Sequence, residues 1–139
     1  MQVFHLAFPI TDIKASIAFY THYLDCTLGR QAERWVDLNF FGHQLSLHLS
    51  DDNKSTDICS NMVDGDHIHI PHFGAVLKKD QWQALHEKLN QGGIEFRLEP
   101  KVRFLGEAGE QGTFFIRDPS GNTLEFKYFN SDADIFAIP

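Results

Sequence analysis

A chain of 139 residues has room for one domain with a sizeable core, and not for two independent ones. Its net charge of −7 argues against nucleic acid or an anionic membrane surface as a partner. Cys26 and Cys59 form no CxxC pair and no disulfide framework, and the start Met1-Gln2-Val3-Phe4-His5 has neither a basic region nor a long apolar run, so the reading is cytoplasmic.

Residues 3–10 read as a strand that is short and apolar, with His5 the one histidine in it. Asp12 caps a helix whose Ile13, Ile17, Tyr20 and Leu24 fall at near-helical spacing. Strands follow over residues 26–29, 34–41 and 44–50, with a turn at Gly42-His43. The last of these alternates, Leu45, Leu47 and Leu49 against Gln44, Ser46, His48 and Ser50. Residues 51–69 change character. Asp51, Asp52, Asn53, Lys54, Ser55 and Thr56 read as loop and Asp64-Gly65-Asp66 as a turn, so this stretch is a linker.

The second half repeats the first. Pro71-His72-Phe73-Gly74-Ala75-Val76-Leu77 has the design of the His5 strand, and a helix from Asp80 buries Trp82, Leu85 and Leu89 before Gly92-Gly93 stops it. A strand over 94–98 ends before Pro100, and a glycine-rich loop over 106–112 precedes a strand over 113–117. Asp118-Pro119-Ser120-Gly121-Asn122 is then a tight turn, with Asp118 as its cap and Gly121 or Asn122 left-handed. Beyond it Leu124, Phe126 and Tyr128 share one strand face, and Thr123, Glu125 and Lys127 the other. The expectation is an α+β fold: two βαβββ modules, about 3–50 and 70–129 with linker 51–69, forming one curved mixed-sheet cup in a single domain over 1–139. Exposed sheet edges and the apolar Ile135, Phe136 and Ile138 predict a homodimer.

His5 and His72 on corresponding strands, with Glu125 on a third, make a 2-His-1-carboxylate set suited to Fe(II) or Mn(II), with Zn, Ni or Co as alternatives. Such a set leaves positions open for substrate and for water or O₂. His48 faces the cup as a fourth ligand, a base or a structural histidine. The 106–112 loop is either a lid, with Glu110 and Gln111 reaching substrate and Arg103 holding an oxyanion, or a surface hairpin with solvated charges.

The His5 strand with Asp12-Ile13-Lys14-Ala15-Ser16-Ile17-Ala18-Phe19-Tyr20, the His72 strand and the Asp118-to-Phe126 run together resemble the vicinal oxygen chelate superfamily. This superfamily includes glyoxalase I, fosfomycin- and bleomycin-resistance proteins and extradiol dioxygenases. Trp35-Val36-Asp37-Leu38-Asn39, Gly42-His43-Gln44 and Gly106-Glu107-Ala108-Gly109-Glu110-Gln111 look most like its predicted extradiol-type dioxygenase branch. The resemblance implies a metal at His5, His72 and Glu125, and a small substrate that chelates through adjacent oxygens. Its leading form is an extradiol-type dioxygenase. The alternatives are a glyoxalase-I-like isomerase or lyase, a thiol transferase, and a non-enzymatic drug-binding protein. Glyoxalase I itself carries a glutamate at about the place of His48.

Overall fold

The computed structural model describes residues 1–52 and 59–138. The chain forms two compact units: residues 1–52 with the 118–122 turn, and 59–117 with 123–138. The first contains β1 (His5–Ile10), α1 (Ile13–Leu24), β2 (Thr27–Ala32), β3 (Trp35–Phe40) and β4 (His43–Leu49). Its sheet runs β1-β4-β3-β2, with β1 parallel to β4 and the other pairs antiparallel. The second contains β5 (Cys59–Val63), β6 (Asp66–Ile70), β7 (His72–Val76), α2 (Lys79–Gln91), β8 (Phe96–Arg103), β9 (Gln111–Arg117) and β10 (Thr123–Phe129). Here the four-stranded sheet runs β7-β10-β9-β8, with β7 parallel to β10. The fold is α+β, and the βαβββ design occurs twice with one topology.

The local chemistry is direct. Asp12 accepts from Ala15 N at 2.9 Å and opens α1, which buries Ser16, Phe19, Tyr20 and Leu24. Phe41 and Gly42 both take positive φ, which is what a two-residue turn needs to match the twist of its flanking strands β3 and β4. In β10, Leu124, Phe126 and Tyr128 are buried as the alternation requires. Trp82 of α2 packs on Phe114 and Tyr128, and Phe114 packs in turn on Phe126.

Four expectations about elements are corrected. The 51–69 linker contains a hairpin, because β5 and β6 pair from Cys59↔Ile70 to Val63↔Asp66 around Asp64-Gly65; Asn53, Lys54, Ser55 and Thr56 lie outside the described residues. Helix α2 is capped at Lys78 and not at Asp80, with Gln81 reaching back to the Lys78 amide. Strand β8 runs through Pro100 to Arg103; the register with β9 shifts between Leu98 and Lys101, so the proline falls where no ladder bond is needed. Residues 26–29 extend into β2 up to Ala32. At the C-terminus Asp132–Phe136 is a short 3-10 helix that leaves Phe136 and Ile138 exposed. No helix among the described residues is long and apolar enough to cross a membrane.

Candidate metal centre

Cross-strand register decides what Glu125 faces. It sits opposite Gly74 on β7 and Phe115 on β9, while Thr123 in the row before it sits between His72 and Arg117. His72 and Glu125 therefore share one sheet face, and their side chains meet, Nε2 to Oε1 at 3.2 Å. Gly74 makes this possible: a Cβ there would lie 1.6 Å from the Glu125 carbonyl oxygen, so the close pairing of β7 and β10 tolerates no side chain.

Both members of the pair are held by neighbours. His72 Nδ1 lies 2.8 Å from the His69 carbonyl, which can only accept, so Nδ1 carries a hydrogen. In the neutral ring Nε2 is then a lone pair aimed at a carboxylate oxygen. A lone pair and an anionic oxygen at that separation need a cation between them, a proton or a metal. Thr113 donates to Glu125 Oε2 at 2.6 Å, leaving Oε1 for His72 and for Lys127 Nζ at 3.7 Å. Phe115 stands edge-on to the His72 ring, 5.2 Å between centroids.

The titration of the pair follows from these contacts. The hydrogen bond with Glu125 raises the His72 pKa, burial opposes it, and the His69 carbonyl adds to the rise, so the net shift is upward. Burial pushes the Glu125 carboxyl up, but the bonds from His72 and Thr113 outweigh it and hold the group below its ordinary value. Without a metal, a proton therefore occupies Nε2 at mildly acidic pH. The raised histidine pKa stabilises the metal-free fold below histidine's ordinary titration range, and this contribution is lost as pH rises through the raised value. A metal must displace that proton. Calorimetry of Mn(II) binding near pH 6, in buffers of different ionisation enthalpy, should show about one proton released per ion; no release at that pH would contradict this arrangement.

The donor chemistry fits a divalent ion. Neighbouring nitrogen and oxygen donors of one such ion, each at about 2.1 Å, stand about 3 Å apart, close to what His72 and Glu125 show. Oriented outer partners of this kind, a carbonyl on the second ring nitrogen and a hydroxyl on the second carboxylate oxygen, are typical of metal ligands. Among the described residues no three His, Cys, Asp or Glu side chains come together as an ion-binding group. His5 lies in the first unit, exposed at the start of β1 and opposite Gln44 on β4.

The register also places His48. In the first unit His5 aligns with Gln44, Ala7 with Ser46 and Pro9 with His48; in the second, His72 aligns with Thr123, Gly74 with Glu125 and Val76 with Lys127. The repeat equivalent of Glu125 is Ser46, and that of His48 is Lys127. His48 is exposed, with its ring beside Trp35. Ser46 donates to Asp37 at 2.6 Å, and Gln44 and Arg30 also approach that buried carboxylate. The first unit thus holds a polar Ser46–Asp37 pair at the position where the second holds its glutamate.

Each of the three residues nominated for substrate has at least one polar group engaged within the fold. Arg103 is buried, donating to the Val63 carbonyl at 2.7 Å and pairing with Asp66 at 3.1 Å, which ties β8 to the β5–β6 hairpin. Glu110 accepts from Gly106 N and from Asn130 Nδ2, closing its own loop, and Gln111 donates to the Gly109 carbonyl from the start of β9. The residues that sequence reasoning missed are Thr113, Phe115, Lys127 and the His69 carbonyl. Alternation along β9 and β10 puts Thr113, Phe115, Glu125 and Lys127 on like faces, but only the pairing of the two strands brings them together.

The family model for the Glyoxalase/Bleomycin resistance protein/Dioxygenase superfamily matches residues 2–126. The chain belongs to this superfamily. A glyoxalase/bleomycin resistance protein/dioxygenase from Alicyclobacillus acidocaldarius is 36% identical with a TM-score of 0.81, covering 97% of this chain and 96% of that one. Metallothiol transferase FosB of Lysinibacillus sphaericus is 23% identical over 122 residues, 88% of this chain and 78% of that protein. The fosfomycin resistance protein FosX of Listeria monocytogenes shares the fold at a TM-score of 0.71 and 10% identity, covering 96% and 97% of the two chains.

Proposed function

We propose that this member of the superfamily is a cytoplasmic, metal-dependent enzyme acting on a small substrate that chelates through adjacent oxygens. Its proposed protein donors are His72 and Glu125, with His5 as the third by the repeat pattern of the sequence. The observation that carries the reading is the His72–Glu125 pair, held from behind by the His69 carbonyl and Thr113. A divalent ion, Fe(II) or Mn(II) before Zn, Ni or Co, supplies Lewis-acid polarisation of the substrate oxygens when bound. The residues do the rest: His69 fixes the tautomer, Thr113 keeps one carboxylate oxygen forward, Phe115 shields the imidazole from water, and the Lys127 ammonium stands ready for an anionic substrate oxygen. A set of three protein donors leaves room for a bidentate substrate and a second small reactant.

Extradiol-type oxygenation of a catechol-like compound is the first form of this reading. Thiol transfer is the second, and the similarity to a metallothiol transferase over 88% of the chain favours it over an isomerase or lyase of the glyoxalase type. A pure drug-binding role has no need of an oriented donor pair. Metal analysis of protein purified without chelators, then oxygen uptake against a panel of catechols, tests the proposal. It expects one ion per chain and catechol-dependent uptake, with His48→Ala retaining the ion. Thiol consumption without oxygen uptake moves the assignment to the second form, and protein that takes up no metal overturns both. The exposed Phe136 and Ile138 lead us to read the active species as a homodimer; light scattering should report twice the mass of one chain, and a monomer at micromolar concentration would contradict it.

A further inference from the structure

The second unit contains a cavity of about 170 Å³ lined by Asp66, His67, Ile68, His69, Arg97, Leu98, Phe115, Arg117 and Thr123. It adjoins the His72–Glu125 pair. Thr123 is the register partner of both His72 and Arg117, Phe115 is that of Glu125, and His69 is the residue whose carbonyl holds His72. The lining carries two guanidinium groups and two imidazoles against one carboxylate. That carboxylate, Asp66, is committed to Lys101 at 2.7 Å and to Arg103 at 3.1 Å, which hold its pKa below the usual carboxylate range. The size of the cavity is that of about five or six waters, well under the 300–1,000 Å³ of a pocket for a whole drug-sized ligand. It fits one small head group.

We propose that this cavity is an oxyanion subsite of the same centre: Arg97 and Arg117, with His67 and His69, hold a carboxylate- or phosphate-like group of the substrate while its adjacent oxygens lie at His72 and Glu125. The substrate is then a small chelating acid. Planar guanidinium forks bind two oxygens of such a group at once, a recognition that neutral compounds cannot match. The assignment rests on the metal-centre reading for the position of the chelating oxygens, but the subsite itself requires no metal.

Inorganic phosphate is the probe, titrated into metal-free and Mn(II)-loaded protein and followed by calorimetry. Binding to the metal-free wild type is expected to weaken roughly tenfold in Arg117→Gln and in Arg97→Gln, and to be unchanged in Lys14→Gln, which removes one positive charge from α1. Arg97 is exposed, so its variant keeps the test valid where Arg117→Gln folds poorly. Mn(II) affinity of the same variants should match wild type. Phosphate binding that is absent from the wild type, or equal in all the variants, overturns the subsite. Absence of Mn(II) binding, with arginine-dependent phosphate binding retained, overturns the metal reading and leaves the subsite standing.

Discussion

Asp118→Ala should lower the unfolding free energy by about 4 kcal/mol, among the largest losses a single substitution in this chain can produce. Asp118 is buried at the head of the turn before β10, and its two oxygens accept four hydrogen bonds. Oδ1 takes the amides of Ser120 and Asn122, both at 2.9 Å. Oδ2 takes the Tyr20 hydroxyl at 2.8 Å and Asn122 Nδ2 at 3.0 Å. Asn122 Nδ2 also donates to the Pro9 carbonyl, and Ser120 Oγ accepts from Thr11 N, so by its contacts the turn belongs to the first unit. Truncation would strand the buried Tyr20 hydroxyl, whose pKa is already pushed up by burial first and by Asp118 second. Tyr20→Phe removes only one of these bonds and should cost about 1 kcal/mol. Urea unfolding compares the two; a loss under 1 kcal/mol for Asp118→Ala would mean that the turn does not depend on its carboxylate.

Gly74→Ala should cost roughly 3 kcal/mol or more and weaken the metal centre at the same time. A methyl group there would fall 1.6 Å from the Glu125 carbonyl oxygen and 2.6 Å from its carbonyl carbon. The three nearest atoms are all Glu125 backbone, with no flexible side chain among them to yield, so β7 must move away from β10. The displaced strands carry His72 and Glu125, and their 3.2 Å separation would open. Thermal unfolding and Mn(II) titration of one sample read both effects. A variant with unchanged stability and affinity would show that the two strands are not held at this spacing.

How much of this was legible in the sequence depended on whether the information lay within one strand or between two. The turn at Asp118, the buried Leu124, Phe126 and Tyr128, and the helix face of Trp82, Leu85 and Leu89 follow from local spacing, and they are found as expected. Alternation puts Glu125 on the face opposite Leu124 and Phe126 and makes it a candidate ligand; that it is buried follows only from its pairing with β7 and β9. Sequence alternation puts His48 and Ser46 on one strand face without choosing between them; the registers of β1 on β4 and of β7 on β10 make Ser46 the counterpart of Glu125. Arg103 and Glu110 read as substrate contacts or solvated charges beside a glycine-rich loop; their partners are a carbonyl on β5 with Asp66, and a loop amide with Asn130, none of which a linear reading reveals. Strand β8 passing Pro100 was hidden for a related reason, since a register shift that accommodates proline exists only in the paired sheet.

The central claim is that His72 and Glu125 are metal ligands. Its most direct test is calorimetric titration of Mn(II) into metal-free wild type, Glu125→Ala and Glu125→Gln, with circular dichroism confirming that each is folded. Glu125→Gln keeps an oxygen available for Thr113 while removing the charge, so it separates loss of a ligand from loss of structure. One Mn(II) per wild-type chain and no measurable binding by folded Glu125→Ala is the predicted result, with Glu125→Gln weakened by more than the roughly 10–100-fold of an outer-partner change. Wild-type affinity retained in folded Glu125→Ala would contradict it.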